Sequence, residues 1–463
     1  MRLRWTDLEV RKALEMNTDR AQEGLVFGSI STDSRTVEPG DLFLALSGEN
    51  FEGHDFVAEA LARGASGVVA SREVHAEEAT PLYPVGDTLL ALGHLARHRR
   101  RALKSEVVAV TGSSGKTTTK DLLYEALRGS FRVHATPGNL NNRIGLPQTI
   151  LEAPEDTQLM VLEMGTNEPG EIRALTEVAE PGMAVITTVS ETHLEKLGSL
   201  DGVLEEKLDL FRGLEPGGTG VVGDDPELLP TRAEGLVEDL RVVGWSERAD
   251  PNFRPLEPEV TERGCYRFRW MGEQVQLGLP GRHAVQTALL ALAVADKLGV
   301  DPAAAARRVG RARPGKMRGE VRSLGSLTLI LDCYNANPQS LDAALDLLET
   351  VQVLGPRVAV LGSMLELGED SRILHRRSLE GALTRQVDLI VATGLFAEAA
   401  EWVARPSQGP DLIQAEDLND AEDLLLDRLG GTEVVLLKAS RGVAMESMVP
   451  GLESRFGPTG GEA

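Results

Sequence analysis

The sequence predicts an α/β protein of three domains. Its 463 residues exceed the size that one hydrophobic core usually serves, at about 150 residues per domain. Short apolar strands alternate with helical patterns from residue 107 onward, and the alternation restarts at residue 327, which indicates two parallel sheets with helical crossovers. We therefore predict domains over residues 1–103, 104–313 and 314–463.

The elements of each domain follow from apolar runs and turn residues. In the first domain, the runs over 42–46 and 67–70 predict strands of a small α/β domain, and an arginine-rich helix over 94–101 ends it. Later strands are predicted at 107–111, 159–163, 184–189 and 220–222 in the second domain, and at 327–332, 357–361, 389–393 and 434–438 in the third. The third domain is expected to be Rossmann-like, with a disordered tail over 457–463.

A more polar stretch over 248–279 interrupts the second domain. Its alternating Tyr266, Phe268 and Trp270 predict antiparallel strands at an edge, and a helix is expected to follow over 284–298. The βαβ core of the domain is expected to continue around this insertion.

Charge and composition exclude several classes of function. The formal net charge of −23 disfavours nucleic acid as a general partner, because a polyanion would be repelled. No apolar run reaches the length of about eighteen residues that a membrane span needs, and the charged start over 1–8 does not resemble an export signal. Cys265 and Cys333 lie far apart, which favours a reducing compartment. We expect a cytoplasmic protein without a membrane span, and a monomer.

The phosphate-binding loop is the most informative motif. An apolar strand over 107–111 runs into a glycine turn and then a helix start. Gly112 and Gly115 allow backbone N–H groups to point at phosphate oxygens, Lys116 can reach the terminal phosphates, and the Thr117 hydroxyl can hold Mg²⁺. The second domain is therefore expected to be P-loop ATPase-like, binding ATP with Mg²⁺.

Two polar residues end later strands of the same predicted sheet. Glu163 ends the strand over 159–163 and would face the crevice of the phosphate loop, so it could complete a Mg²⁺ site with Thr117. His193 follows the next strand to the same edge, although a lone histidine is usually structural.

Lysine is scarce in this chain, which has nine lysines and 39 arginines. Lysine is then expected to persist where a primary amine is needed, at Lys116, Lys207 or Lys438, although composition bias explains much of the skew. Alone, Lys207 among acidic neighbours indicates a solvated ion pair on a helix. The segment 206–209 also mimics a guanine-reading motif, but Glu206 replaces its asparagine, so a GTPase switch is disfavoured.

Polar loops end three strands of the third domain. The loop after residue 331 carries Asp332, Asn335 and Asn337 in one short turn, more amide and carboxylate groups than a structural turn usually needs. The loops over 361–368 and 438–441 are expected at the same edge and could hold a small zwitterion.

Taken together, these motifs resemble the Mur ligase family, the ATP-dependent amide ligases of peptidoglycan precursor synthesis. The resemblance covers nearly the whole chain, and it is most specific in NLNN, YNAN and LGSMLELG. The segments that carry it are 32–35 (TDSR), 40–43 (GDLF), 53–56 (GHDF), 111–120 (TGSSGKTTTK), 139–142 (NLNN), 144–147 (IGLP), 163–167 (EMGTN), 193–195 (HLE), 332–338 (DCYNANP) and 361–368 (LGSMLELG).

The resemblance implies a binding role for each domain: UDP-sugar peptide in the first, ATP in the second and the incoming dipeptide in the third. It implies ATP contacts at Gly112, Ser113, Ser114, Gly115, Lys116, Thr117, Thr118, Arg318, Asp332, Asn335 and Asn337. Substrate contacts are expected at Thr32, Asp33, Ser34, Arg35, Asn139, Asn142, Ser363, Lys438 and Arg441. Metal ligands are expected at Thr117, Glu163, His193 and Lys207, and the catalytic residues at Lys116, His193 and Lys207.

The resemblance also implies the chemistry. In the family, a lysine at the place of Lys207 is carbamylated and bridges to a second Mg²⁺ that His193 ligates. ATP would phosphorylate the terminal carboxylate of UDP-N-acetylmuramoyl-tripeptide, and the amine of D-alanyl-D-alanine would attack the acyl phosphate. Arg318 would touch the γ-phosphate when the domains close, Asp332 would hold the ribose, and Asn335 and Asn337 would lie near the base.

The chain departs from the family pattern at several places. Val110 replaces the usual first glycine of the phosphate loop, and Ala284 and Thr287 replace asparagines, which puts adenine contacts from that helix in doubt. The alternatives are a superfamily ligase that adds a single amino acid, a folylpolyglutamate synthetase, or a non-catalytic nucleotide-binding regulator. Phosphate release that depends on both substrates would separate an enzyme from the regulator.

Overall fold

The computed structural model describes residues 4–48, 51–352, 355–405 and 409–457. Within these ranges, no helix is both long and apolar enough to cross a membrane. Residues 458–463 of the tail that was expected to be disordered lie outside the described residues.

The N-terminal part contains a small parallel sheet. Strands β3, β4, β7 and β8 form it in that order, all parallel, and the expected run at 67–70 is a strand. The predicted arginine-rich helix is longer than expected and begins at Thr88. The elements are β1 (Trp5–Thr6), α1 (Asp7–Ala13), β2 (Val26–Phe27), β3 (Ile30–Ser31), β4 (Leu42–Leu44), β5 (Ser47–Gly48), β6 (Phe51–Glu52), α2 (Val57–Ala62), β7 (Gly67–Ala70), β8 (Leu82–Pro84) and α3 (Thr88–Leu103).

The central part contains a six-stranded parallel sheet in the order β10-β11-β9-β12-β13-β14. The polar insertion forms the expected antiparallel sheet, β15-β16-β17, and a helix follows it. The elements are β9 (Glu106–Thr111), α4 (Lys116–Leu127), β10 (Val133–Ala135), α5 (Gly145–Glu152), β11 (Leu159–Glu163), α6 (Glu171–Ala179), β12 (Met183–Ile186), α7 (Leu194–Leu197), α8 (Leu200–Arg212), β13 (Thr219–Gly223), α9 (Leu228–Ala233), β14 (Asp239–Val243), β15 (Leu256–Val260), β16 (Cys265–Trp270), β17 (Glu273–Pro280), α10 (Arg282–Lys297) and α11 (Pro302–Val309).

The C-terminal part contains a second six-stranded sheet in the order β18-β19-β23-β20-β21-β22. Only β18 runs antiparallel to its neighbour among these described strands. The elements are β18 (Glu320–Leu324), β19 (Leu327–Asp332), α12 (Pro338–Thr350), β20 (Arg357–Leu361), α13 (Ser371–Ala382), β21 (Leu389–Ala392), α14 (Leu395–Ala400), β22 (Asp411–Gln414), α15 (Leu418–Arg428), β23 (Val434–Lys438) and α16 (Val449–Phe456). The predicted three-domain α/β fold class is confirmed.

The register of the central sheet brings three chain segments to one edge. Glu163 at the end of β11 is paired with Val110 of β9, and Ile186 at the end of β12 is paired with Thr111. The strands themselves are buried and apolar, as expected for a parallel sheet covered on both faces. Polar side chains that follow these strands therefore meet just outside the sheet, where α/β proteins bind ligands.

Candidate active site

The phosphate loop lies between β9 and α4 and requires its glycines. Gly112 and Gly115 have φ angles of 149° and 80°, which L side chains rarely adopt. A Cβ on Gly112 would also lie 1.9 Å from Thr187 Oγ1. The Lys116 ammonium donates to the Gly112 carbonyl at 2.7 Å, so the lysine curls over its own loop.

Hydrogen bonds from the segment after β12 brace the loop. Ser190 N donates to Ser113 Oγ at 2.9 Å, and Thr187 Oγ1 donates to the Ser114 carbonyl at 2.5 Å. These bonds fix the loop before any ligand arrives, so little ordering remains for binding.

Glu163 is the buried carboxylate beside the loop, with 1% of its surface exposed. Its Oε1 accepts from Thr117 Oγ1 at 3.2 Å and from Asn141 Nδ2 at 2.8 Å. Its Oε2 is buried and has no hydrogen-bond partner among the described residues. A buried carboxylate oxygen without a partner, next to a threonine hydroxyl, is a donor set that suits Mg²⁺.

Two lysines of this region have lowered pKa values. Burial lowers the pKa of Lys116, which Glu163 opposes and Arg318 reinforces. Lys207, on α8, is 1% exposed, and burial lowers its pKa well below the usual range, with the charge of Lys116 adding to the effect. Within the described chain, the Lys207 amine has no hydrogen-bond or ion-pair partner. The interpretation of Lys207 as a solvated surface cation is wrong, because its helix face packs inward.

His193 lies just before α7 and reaches across to the C-terminal part. Its Nδ1 is 2.7 Å from Glu366 Oε2. In the described residues, no group of three or more His, Cys, Asp and Glu side chains is placed to hold a metal. A metal site here would therefore need other donors, such as the Thr117 hydroxyl or a modified Lys207.

These groups open onto a single cleft of about 1080 Å³. It is lined by residues of both the central and the C-terminal parts. The predicted site residues in its lining are Ser113, Ser114, Gly115, Lys116, Thr117, Thr118, Asn139, Asn142, Glu163, His193, Arg318, Asp332, Asn335, Asn337, Lys438 and Arg441. The predicted residues outside this lining, among those described, are Gly112, Lys207, Ser363, Thr32, Asp33, Ser34 and Arg35.

The C-terminal polar loop meets the phosphate loop. Asp332 and Lys438 end neighbouring strands in register and form an ion pair of 2.9 Å, and the buried Lys438 also donates to the Asn335 carbonyl at 2.6 Å. The Arg318 guanidinium lies over the Tyr334 ring, 3.7 Å from its centroid. Paired in this way, the lysine and arginine are held in place at the cleft.

Two further predicted residues of the C-terminal part are engaged within their own domain. Ser363 Oγ accepts from Leu395 N at 2.9 Å, at the start of α14. Arg441 donates to Glu446 Oε1 at 2.6 Å and lines the cleft. Ser363 is therefore bound to a helix start, whereas Arg441 is available at the cleft.

The loop over 32–35 contacts the central part away from this cleft. Gln148 Nε2 of α5 donates to Thr32 Oγ1 at 2.7 Å, while Ser34 is buried. Arg35, with 80% of its side chain exposed, pairs with Asp33 at 2.7 Å, and hydrogen bonds from Arg35 lower the pKa of Asp33 to about 2. The loop thus presents a charged pair at the surface.

The asparagine segment over 139–142 positions the start of α5. Asn142 Oδ1 accepts from Gly145 N at 2.8 Å, and the Asn139 carbonyl accepts from Asn141 N at 2.8 Å. Asn141, which the motif contained but sequence reasoning did not select, donates to Glu163 instead. Of the three asparagines, Asn141 thus makes the direct contact with the candidate metal carboxylate.

Sequence reasoning also missed Thr187 and Glu366. Thr187 contacts the phosphate loop and Glu366 contacts His193, and both contacts join residues far apart in the chain. The LGSMLELG segment contained a signal for Glu366, a lone acid in an otherwise apolar loop. Glu206, considered as part of a guanine-reading mimic, accepts from Gly170 N and Ile172 N and so caps α6.

Comparison with known families agrees with this geometry. Models described as the Mur ligase middle domain, the Mur ligase glutamate ligase domain and the Mur ligase family catalytic domain match residues 110–295, 317–441 and 27–100. The chain belongs to the Mur ligase family. The resemblance inferred from the motifs is thereby confirmed.

Individual Mur ligases are similar over nearly the full length. The UDP-N-acetylmuramoyl-tripeptide--D-alanyl-D-alanine ligase of Bacillus subtilis is 34% identical, over 93% of this chain and 94% of its own. A crystal structure of MurF from Acinetobacter baumannii has a TM-score of 0.88 at 31% identity, covering 98% of this chain and 99% of that one. MurF from Thermotoga maritima in complex with ADP has a TM-score of 0.82 at 29% identity, covering 92% and 97%.

Proposed function

We propose that this Mur ligase joins D-alanyl-D-alanine to the terminal carboxylate of UDP-N-acetylmuramoyl-tripeptide, using ATP, in peptidoglycan precursor synthesis. The observation that carries the proposal is the single cleft in which the phosphate loop, Glu163 and the C-terminal polar loop converge. The 34% identical relative from Bacillus subtilis, named for this reaction, supports the choice of substrates.

ATP is proposed to bind across the cleft. Its phosphates would lie on the loop from Gly112 to Thr118, with Lys116 turning from the Gly112 carbonyl toward them. Arg318, Asp332, Asn335 and Asn337 would approach the nucleotide from the C-terminal side.

Mg²⁺ fits the donors beside the loop. Thr117 Oγ1 and the unpartnered Oε2 of Glu163 would hold one ion, and His193 with a carbamylated Lys207 would hold a second. Bound there, the ions would supply neutralisation of phosphate charge.

Lys207 suits carbamylation because burial favours its neutral amine. The neutral nitrogen would bond to the carbon of CO₂ and release one proton, which leaves a carbamate anion. The carbamate would place negative charge beside the Lys116 cation, where an ammonium would repel it.

The reaction needs two anions to approach each other. The tripeptide carboxylate oxygen would bond to the γ-phosphorus as ADP leaves, and the dipeptide amine would then bond to the acyl carbon as phosphate leaves. Lys116 would neutralise charge on the transferred phosphate in a partly desolvated cleft, where a fixed cation is effective. The braced loop would hold the phosphate in line.

The remaining substrate sites are proposals for the outer domains. Thr32, Asp33, Ser34, Arg35, Asn139 and Asn142 would bind the UDP-sugar peptide. Ser363, Lys438 and Arg441 would form the dipeptide site, where Ser363 and Lys438 shape the strand ends and Arg441 meets the carboxylate. We place the domain limits at 1–103, 104–313 and 314–463. The two free cysteines agree with a cytoplasmic enzyme, and we propose a monomer.

Phosphate release tests the proposal directly. With UDP-N-acetylmuramoyl-tripeptide and ATP, release is expected to depend on added D-alanyl-D-alanine and to be absent with D-alanine or glutamate alone. Release with a single amino acid would favour another ligase of the superfamily. ATP binding without release under any combination would favour a nucleotide-binding regulator.

A further inference from the structure

The contact between His193 and Glu366 joins two strained residues of different domains. Their φ angles are 53° and 64°, in the left-handed region that side chains with a Cβ rarely adopt. Such residues persist where the surrounding structure holds them, and they cluster at functional sites. The Nδ1 of the histidine lies 2.7 Å from the Glu366 carboxylate.

Neighbouring contacts hold the two segments together. A Cβ on Gly368, whose φ is 60°, would lie 3.0 Å from both Cα and N of Glu195, so the loop after β20 lies directly against the segment after His193. Arg377 on α13 also donates to Glu191 at 2.8 Å. The C-terminal domain therefore docks on both sides of His193.

We propose that Glu366 is a positioning residue that sets the tautomer and orientation of the His193 ring when the C-terminal domain is docked. The inference rests on the proposed role of His193 as a metal ligand. A carboxylate that accepts from Nδ1–H leaves the lone pair on Nε2, and carboxylates commonly orient metal-binding histidines in this way. Since the ring and the carboxylate belong to different domains, the ligand is complete only in the docked arrangement.

The pair itself adds little to folding. The Glu366 side chain is 59% exposed, and ion pairs in such positions contribute little to stability. A change at Glu366 is therefore expected to alter the ring rather than the fold. Glu369, an exposed acid in the same loop without a partner among the described residues, offers a matched control.

The first test is the tautomer of His193 in metal-free protein. With ¹⁵N-labelled histidine, the ring signals of His193 are assigned by their loss in His193→Gln and measured where the ring is neutral. The Nδ1–H form is expected to dominate in wild type, in Glu369→Gln and in Glu366→Gln, whose amide oxygen still accepts. Glu366→Ala is expected to shift the ring toward the Nε2–H form. An unchanged ring in Glu366→Ala would overturn the proposal.

The second test uses Mn²⁺ as a paramagnetic probe in the presence of ATP. Broadening of the His193 signals is expected in wild type, and Glu366→Ala is expected to need about tenfold to a hundredfold more Mn²⁺. Equal Mn²⁺ dependence in the two proteins would overturn the positioning role. No broadening in wild type would instead remove His193 from the proposed metal site, a failure of the proposed function that the tautomer measurement distinguishes.

Discussion

Asn337 Nδ2 donates a hydrogen bond of 3.1 Å to Ser114 Oγ, which ties the C-terminal domain to the phosphate loop. The same asparagine caps α12, because its Oδ1 accepts from Ser340 N at 2.8 Å. Close by, Gln339 Nε2 donates to Thr188 Oγ1 at 2.8 Å. The start of α12 therefore lies against the segment that braces the loop.

The two roles of Asn337 can be separated by substitution. Asn337→Asp keeps a capping oxygen but places a negative charge beside the phosphate loop, so the KM for ATP is expected to rise about tenfold at similar stability. Asn337→Ala also loses the cap and is expected to lower the free energy of unfolding by about 1 kcal/mol. Steady-state kinetics and urea denaturation measure these effects. Asn17→Asp, an exposed cap in the N-terminal domain, serves as control.

Lys116 is expected to be needed for ligation but not for binding of the UDP substrate. Lys116→Ala removes the cation of the phosphate loop, and a loss of activity of about a hundredfold or more is expected. Affinity for UDP-N-acetylmuramoyl-tripeptide is expected to stay nearly unchanged, because its proposed site lies on another domain. Lys104→Ala, at the opposite end of β9, is the control. A comparable loss of UDP-substrate affinity in titration calorimetry would contradict this division of sites.

Strand-end placement was the part of the site that sequence could predict. The carboxyl ends of parallel strands share one edge, so Glu163 was expected beside the phosphate loop, and the structure places it there. Asp332 and Lys438 follow the same rule in the second sheet. These predictions needed only strand assignment and the rule of parallel topology.

The burial of Lys207 was misjudged although the helical period carried a signal. Val203 and Leu204 lie four and three residues earlier, both fully buried, so Lys207 shares their face. The acidic neighbours suggested a solvated helix, but Glu206 turns to cap α6. Hydropathy alone cannot show that a charged side chain caps another helix.

Contacts between domains could not be predicted from the sequence. The bond from His193 to Glu366 joins segments 173 positions apart in number, and its existence depends on how two separately folded sheets dock. Local patterns specify each sheet, whereas docking depends on surfaces that many segments form together. The closeness of Thr187 to Gly112 is unpredictable for the same reason.

Arg35 is expected to contribute to the UDP-sugar site. Its exposed guanidinium, held by Asp33, is a ready cation for a diphosphate in an acidic chain. Arg35→Ala is expected to raise the KM for the UDP substrate about tenfold or more, with a far smaller change for ATP. Arg20→Ala, exposed in the same domain, is expected to change neither. Equal effects of Arg35→Ala on both substrates would make the loop merely structural.

Cys333 is expected to be unreactive at neutral pH despite its place beside Asp332. Burial raises the pKa of its thiol to about 11, so the reactive thiolate is scarce below that pH. Labelling by iodoacetamide is expected to be slow at pH 7 to 8 and to accelerate as pH approaches 11, until the protein unfolds. Mass spectrometry of Cys333 peptides, compared in native protein and in urea, measures this. Rapid native labelling at pH 7 would contradict the expectation.

Lys207 is expected to be carbamylated, which a ¹³C carbamate signal in protein equilibrated with ¹³CO₂ would detect. The signal is expected to disappear in Lys207→Ala and to remain in Lys297→Ala, a surface lysine paired with Asp239. Because the neutral amine adds CO₂, the carbamate is expected to form more readily as pH rises through the lowered pKa.

The same residue offers a test by chemical rescue. Lys207→Ala is expected to be nearly inactive and partly restored by a short carboxylic acid that fills the vacated space with two oxygens and a negative charge. Lys207→Arg is expected to stay inactive, because a guanidinium cannot add CO₂. Thermal unfolding shows whether each variant still folds around this buried position. Near wild-type turnover in a folded Lys207→Arg protein would mean that the amine has no part in the reaction.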